Sequence, residues 1–186
     1  MRYVLIFLTM LICPYARAQG DLVLPGVEFS ATAVHEAGAF QTKETLHYTP
    51  GKLRIERGNG FSTTILDLRT RTQCLLMVNH TYLVLPMDDE LYRRYIARTS
   101  AISGARKIGS ERIDGLETTK YAFGDDGALD AAGSYWLTNT GIMVKREYED
   151  GVFGRNVHHL EFLTRISFEK QSSALFSIPA GYTRTK

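Results

Sequence analysis

Residues 52–87, KLRIERGNGFSTTILDLRTRTQCLLMVNHTYLVLPM, decide the fold of this chain. Three strand-like runs follow one another: KLRIERG at 52–58, FSTTILDL at 61–68 and TQCLLMV at 72–78. Each is rich in β-branched or other apolar residues. The first two are joined by Gly-Asn-Gly, which favours a hairpin turn because glycine and asparagine tolerate positive φ. The stretch therefore predicts consecutive antiparallel strands.

Strand patterns continue on both sides of this stretch. Val27–Ala33 and Phe40–Tyr48 alternate apolar and polar residues, which is the period of a half-buried strand. Asp-Gly pairs at 114–115 and 150–151 predict hairpin turns. The remaining strands are predicted at Thr81–Leu85, Lys107–Ile113, Leu116–Phe123, Gly133–Thr138, Ile142–Glu149 and Asn156–Phe168. About eleven strands must curve into a barrel, a half-barrel or a sandwich, because a flat open sheet this wide would expose its edges and lack a second layer.

One helix is predicted after Pro86. Asp88 is a suitable N-cap, and apolar residues of the Asp88–Thr99 segment recur at helical spacing. These residues are Leu91, Tyr92, Tyr95 and Ile96. The fold class expected from the residues is therefore all-β with one main helix.

Residues 1–18 have the pattern of a cleaved signal peptide. Arg2 precedes an apolar run at Tyr3–Ile12, and Ala16-Arg17-Ala18 resembles a cleavage site. The apolar run is about ten residues long, whereas a membrane-spanning helix needs about twenty. We therefore expect an exported, periplasmic protein that is not integral to the membrane. Residues 19–186 are expected to form a single domain, since no linker or repeat divides them.

Charge and cysteine content exclude several classes of protein. Removal of Arg2 and Arg17 with the leader leaves 20 of the 22 basic side chains, against 20 acidic ones. A balanced chain has no long-range field that attracts phosphate polymers, so no nucleic-acid partner is expected. Cys74 is the only thiol of the mature chain, so it has no partner for an internal disulfide. We expect a monomer stabilised by apolar burial.

Several motifs resemble the LolA-like lipoprotein carriers, and most closely their periplasmic relatives of unknown function. The motifs are Ser62–Asp67, Cys74–Met77, Thr81-Tyr82, Tyr135–Thr138 ahead of Gly141, and Leu175–Tyr182. The resemblance implies an incompletely closed antiparallel half-barrel of about eleven strands with a helix over its concave face. It also implies a location in the periplasm or cell envelope and, as in the carriers, a concave face that accepts acyl chains.

The first functional hypothesis is a binding or carrier protein for an apolar ligand, such as an acyl chain, a lipid or a lipidated protein. Burial of hydrocarbon would supply about 0.8 kcal/mol per methylene. Strands that are apolar on both faces need a cover on each face, and a cavity under the helix could take the ligand. The candidate wall residues are Phe29, Leu53, Ile55, Ile65, Leu66, Leu76, Leu91, Tyr95 and Ile96.

The alternative hypothesis is a protein-interaction or stress-sensing module of the cell envelope that presents a sheet edge or a loop to a transient protein partner. No catalytic residue, metal site or cofactor is predicted. His158 and His159 are neighbours on a predicted strand and should point to opposite faces, so one ion cannot easily bind both. A hydrolase would require Asp, His and Ser side chains that converge in one cleft, and no Gly-x-Ser-x-Gly motif marks one.

Overall fold

Twelve strands of one sheet dominate the computed structural model, which describes residues 24–58, 62–89, 92, 104–124, 132–152 and 155–185. The first six are β1 (Phe29–Ala37), β2 (Phe40–Thr49), β3 (Lys52–Arg57), β4 (Ser62–Asp67), β5 (Thr72–Met77) and β6 (Thr81–Pro86). The others are β7 (Arg106–Ile113), β8 (Leu116–Phe123), β9 (Ala132–Thr138), β10 (Met143–Val152), β11 (Arg155–Ser167) and β12 (Thr183–Arg184). A 3-10 helix spans Ser173–Phe176.

The strand order across the sheet is β12-β6-β5-β4-β3-β2-β1-β11-β10-β9-β8-β7. Two meanders, β1 to β6 and β7 to β11, are joined where β1 pairs with β11. Every neighbouring pair is antiparallel except β12 with β6, which is parallel. Within the described residues β7 and β12 lie at separate edges, so the sheet is open, as in a half-barrel.

The sequence predicts most of these strands because their alternation is regular. The hairpin turn at Asp114-Gly115 is confirmed, and both residues have positive φ. The turn predicted at Asp150-Gly151 is wrong. Both residues lie within β10 and pair with Val157 and Asn156 of β11, since the ladder continues to Val152 opposite Arg155. The two-residue strand β12 is too short to show a periodic pattern.

The predicted helix over Asp88–Thr99 is not seen as an element, because most of its residues lie outside the described ranges. Asp88, Asp89 and Tyr92 are the described residues of that segment, and the others lie outside the described ranges. The Tyr92 N–H donates to the Asp88 carbonyl oxygen at 3.0 Å, and Asp89 and Tyr92 have helical backbone. Within the described residues, the observed class is a mostly antiparallel open sheet with very little helix.

Gly133 permits a close approach between β9 and β10. A Cβ built at this position would overlap the Glu147 carbonyl oxygen and would lie 2.7 Å from the Tyr148 Cβ. Any larger residue would therefore push β10 away from β9. Gly109 on β7 offers a contrast, because a Cβ there meets no atom within 4 Å.

Candidate functional site

One apolar cluster covers a single face of β1 to β4. Phe29, Tyr48, Leu53 and Leu66 lie opposite one another on the four strands, and each is at most 1% exposed. They belong to a larger set, which we call the central cluster: Phe29, Ala31, Leu46, Tyr48, Leu53, Ile55, Leu66, Leu68, Met87, Trp136, Ile142, Val144 and Leu163. The cluster thus joins residues from both meanders of the sheet.

The cluster is also contacted by chain segments outside the sheet. Leu24 and Val27 pack against it from the segment before β1, and Tyr92 packs against it from the segment after β6. The Tyr48 hydroxyl donates to the Pro25 carbonyl oxygen at 2.9 Å, which satisfies its buried oxygen. Burial raises the pKa of Tyr48. The segment that begins at Asp88 is therefore in contact with the apolar face at Tyr92.

The predicted wall residues do not form one surface. Phe29, Leu53, Ile55 and Leu66 belong to the central cluster. Ile65 and Leu76 belong to a second cluster on the other face of the sheet, because adjacent residues of a strand, such as Ile65 and Leu66, point to opposite faces. The remaining three candidates, Leu91, Tyr95 and Ile96, lie outside the described residues.

The C-terminal segment covers the second face. Phe176 is buried against Ile65 and Leu76, with Cys74, Tyr82, Leu175 and Tyr182 packed around them. Arg54 of β3 donates from Nη1 to the Leu175 carbonyl oxygen at 3.0 Å. The pairing of β12 with β6 holds the end of the segment in place. Burial raises the pKa of the Cys74 thiol, as expected for an apolar, structural cysteine.

A pocket of about 50 Å³ lies on the face of the central cluster, and we call it the β1–β11 pocket. Leu46, Val144 and Leu163 belong both to its lining and to the central cluster. The other lining residues are Ala33, Val34, His35, Thr42, Glu44, Met143, Lys145, Arg146, Glu161 and Phe162. Its volume exceeds that of one water molecule but is smaller than the roughly 300–1,000 Å³ of typical small-molecule pockets.

An open cleft of about 750 Å³ lies elsewhere, between the β2–β3 turn and the C-terminal segment. Most of its lining residues are polar or charged, and they include Glu28, Lys52, Lys170 and Gln171. None of the six predicted wall residues that the structure describes lines either this cleft or the β1–β11 pocket. The β1–β11 pocket is the better candidate site for an apolar ligand, because it adjoins the central cluster.

A row of stacked rings borders the β1–β11 pocket. The Tyr148 and His159 rings have centroids 4.8 Å apart, and the His159 and His35 rings have centroids 5.4 Å apart. His35 Nε2 and His159 Nδ1 share a hydrogen bond of 3.1 Å. Burial and then the negative charge of Glu161 raise the pKa of Tyr148, whose hydroxyl donates to Glu161 at 3.4 Å.

The prediction that His158 and His159 point to opposite faces is confirmed. His158 Nδ1 lies 2.8 Å from Glu149 Oε1 on an exposed surface, whereas His159 contacts His35. The approach of His35 and His159 was missed by sequence reasoning, because these residues are far apart in sequence and meet only through the β1–β11 pairing. No group of three or more His, Cys, Asp or Glu residues suited to a metal is found among the described residues.

These features define an open, mostly antiparallel sheet with an apolar cluster on one face and a small pocket beside it. No family model matches the sequence. No curated protein matches it either. Among the described residues, no helix is both long and apolar enough to cross a membrane.

Solved structures identify the fold. An uncharacterised conserved protein from Thermus thermophilus matches with a TM-score of 0.57 at 13% identity, over 86% of this chain and 90% of that one. MucB matches with a TM-score of 0.57 at 14% identity, over 84% of this chain and 58% of MucB. The MucA/MucB complex of Pseudomonas aeruginosa matches with a TM-score of 0.55 at 16% identity, over 84% of this chain and 57% of that one.

At these identities the likeness concerns the fold alone. The predicted resemblance to LolA-like proteins is confirmed at that level, since the chain has the LolA-like fold. The chain spans a little over half the length of the MucB chains that it matches.

Proposed function

We propose that this protein is an exported, non-enzymatic binding or carrier protein of the periplasm that takes an apolar ligand, such as an acyl chain, a lipid or a lipoprotein. The observation that supports it best is the continuity between the central cluster and the β1–β11 pocket, which share Leu46, Val144 and Leu163. Hydrocarbon entering the pocket would contact apolar side chains that continue across the sheet. Each methylene removed from water there would contribute about 0.8 kcal/mol.

Accommodation of a long chain requires movement of the protein. The pocket of about 50 Å³ holds only a short part of an acyl chain, and the neighbouring residues of the cluster are almost fully buried. The rest of the chain would have to separate side chains that now pack together. We therefore expect short and medium acyl chains to bind more readily than long ones, unless the ligand also stabilises an opened arrangement.

Native mass spectrometry tests this proposal directly. The mature protein is purified without detergent, and the sprayed species and a lipid extract of the sample are compared before and after addition of lauric acid. Co-purified lipid, or a mass increment of one or two laurate molecules that survives buffer exchange, supports the proposal. A protein that neither carries lipid nor takes up added acyl chains would contradict it.

A protein-interaction or stress-sensing module of the cell envelope is the second candidate. It is favoured by the likeness to MucB, which has been solved in complex with MucA(peri). Phe40 and Val78 are 80% and 64% exposed and could contribute to such a contact. Crosslinking in envelope extracts separates the two candidates, because an interaction module should recover one protein partner even when lipid has been removed.

A further inference from the structure

Arg146 of β10 is held between aromatic rings at the border of the β1–β11 pocket. Its Cζ lies 4.3 Å from the centroid of the Tyr148 ring and 5.2 Å from that of Phe123. The Arg146 Nε atom is buried and has no hydrogen-bond partner among the described residues. A buried N–H without an acceptor is destabilising, so an acceptor supplied by a ligand would remove this cost.

His159 presents a second buried nitrogen beside the same tyrosine ring. Its Nε2 has no hydrogen-bond partner among the described residues, while its Nδ1 is shared with His35. When His35 Nε2 donates this hydrogen bond, the neutral His159 ring carries its proton on Nε2. Arg146 and His159 then both have an N–H group without an acceptor, and both lie against Tyr148.

The carboxylates that line the pocket are engaged with other groups. Glu44 accepts from Arg57 Nε at 2.7 Å, and Glu161 accepts from the Tyr148 hydroxyl. Among the described residues, the ion pairs within 4.0 Å do not include Arg146. Its charge is therefore available to a bound anion, and charge-assisted hydrogen bonds to guanidinium groups are among the strongest that proteins make.

We infer that Arg146, which lines the β1–β11 pocket, binds the anionic head group of an amphipathic ligand whose hydrocarbon end contacts Leu46 and Leu163. This inference rests on the proposed function and specifies its ligand as a lipid with a carboxylate or phosphate group. Such a ligand requires a cation with an unpaired donor at one side of the pocket and apolar side chains at the other, and Arg146 and the central cluster supply them.

Binding measurements on paired ligands test the inference. Lauric acid, methyl laurate, acetate and inorganic phosphate are titrated by calorimetry into the wild type and into Arg146→Gln. Arg112→Gln is the matched control, because Arg112 is an exposed arginine on β7 paired with Glu117. We expect the wild type to bind laurate about tenfold or more tighter than methyl laurate. Arg146→Gln should remove this preference and leave the ester unchanged, while the control keeps the wild-type pattern.

The outcomes distinguish this inference from the proposed function. Equal affinity of the wild type for acid and ester would overturn the inference and leave apolar binding intact, and this comparison needs no variant. A preference for the acid that persists in a folded Arg146→Gln would assign the head group to another site. Binding of acetate or phosphate as tight as that of laurate would show a site for free anions and overturn the amphipathic ligand. If neither laurate nor its ester binds, the proposed function itself fails.

Discussion

Substitution of Leu66 by alanine tests whether the central cluster is a filled core. Leu66 lies on β4 opposite Leu53 and is 0% exposed. Truncation removes three carbon atoms from a position that is surrounded by other apolar side chains of the cluster. Val78→Ala is a suitable control, because Val78 is 64% exposed in the turn after β5 and loses two similar carbons.

The expected magnitude follows from this burial. A leucine truncated in a well-packed core costs about 3–5 kcal/mol, which combines the lost transfer energy with the cavity left behind. For a domain of this size, each kcal/mol lowers the melting temperature by about 2–4 °C. Leu66→Ala should therefore melt roughly 6–20 °C below the wild type. The free energy of unfolding of Val78→Ala should differ from that of the wild type by no more than about 0.5 kcal/mol.

The free energy of unfolding of both variants is measured by urea titration, followed by circular dichroism and by tryptophan fluorescence. Coincident transitions in the two signals confirm two-state behaviour. A cost below about 1 kcal/mol for Leu66→Ala would refute the packing argument, because it would show that Leu66 already faces an unfilled space. Laurate binding supplies a second measurement. If an acyl chain must separate packed side chains, the cavity left by the truncation should raise laurate affinity relative to Val78→Ala.

Three further predictions concern other parts of the molecule. Gly133→Ala should lower the free energy of unfolding by about 1–3 kcal/mol, because the added Cβ overlaps β10. Gly109→Ala should be neutral or slightly stabilising in the same urea assay. Equal effects of the two substitutions would contradict the close approach of β9 and β10 at Gly133. Cys74 should react with a thiol reagent at neutral pH at least about tenfold more slowly in the folded protein than in urea, because burial raises the pKa of its thiol, and equal rates would mean that it is exposed. Burial alone would raise the pKa of Asp67, but hydrogen bonds from Thr70 and further favourable interactions outweigh burial and lower this pKa. The ionised Asp67 therefore stabilises the fold above about pH 4, and this stabilisation is lost as the pH falls through the folded-state pKa. Asp67→Ala should therefore cost about 1 kcal/mol or less at pH 7 and almost nothing once the pH lies below the folded-state pKa of Asp67. A cost that does not change with pH would contradict this assignment.

The candidate site shows where sequence reasoning succeeds and where it stops. Ile65 and Leu66 are adjacent apolar residues of β4, so their side chains lie on opposite faces of the sheet. The sequence therefore predicts that other parts of the protein pack against both faces. It does not show which of them faces which cover. The structure places Leu66 in the central cluster and Ile65 beneath Phe176, because the C-terminal segment returns across the sheet. That return is a non-local contact, and no local pattern encodes it.

The amino-acid sequence by itself determined strands β1 to β11, the turn between β7 and β8 and the resemblance to LolA-like proteins. These features depend on residues that are close together in the chain, such as the alternation in 61–68 and the Asp114-Gly115 turn. Only the tertiary structure decided that β1 pairs with β11. That pairing brings His35 next to His159 and places Arg146 at the border of an apolar pocket. The physical reason is that strand pairing between distant segments is selected by the packing of the whole sheet, so it is fixed only when all the strands are in place.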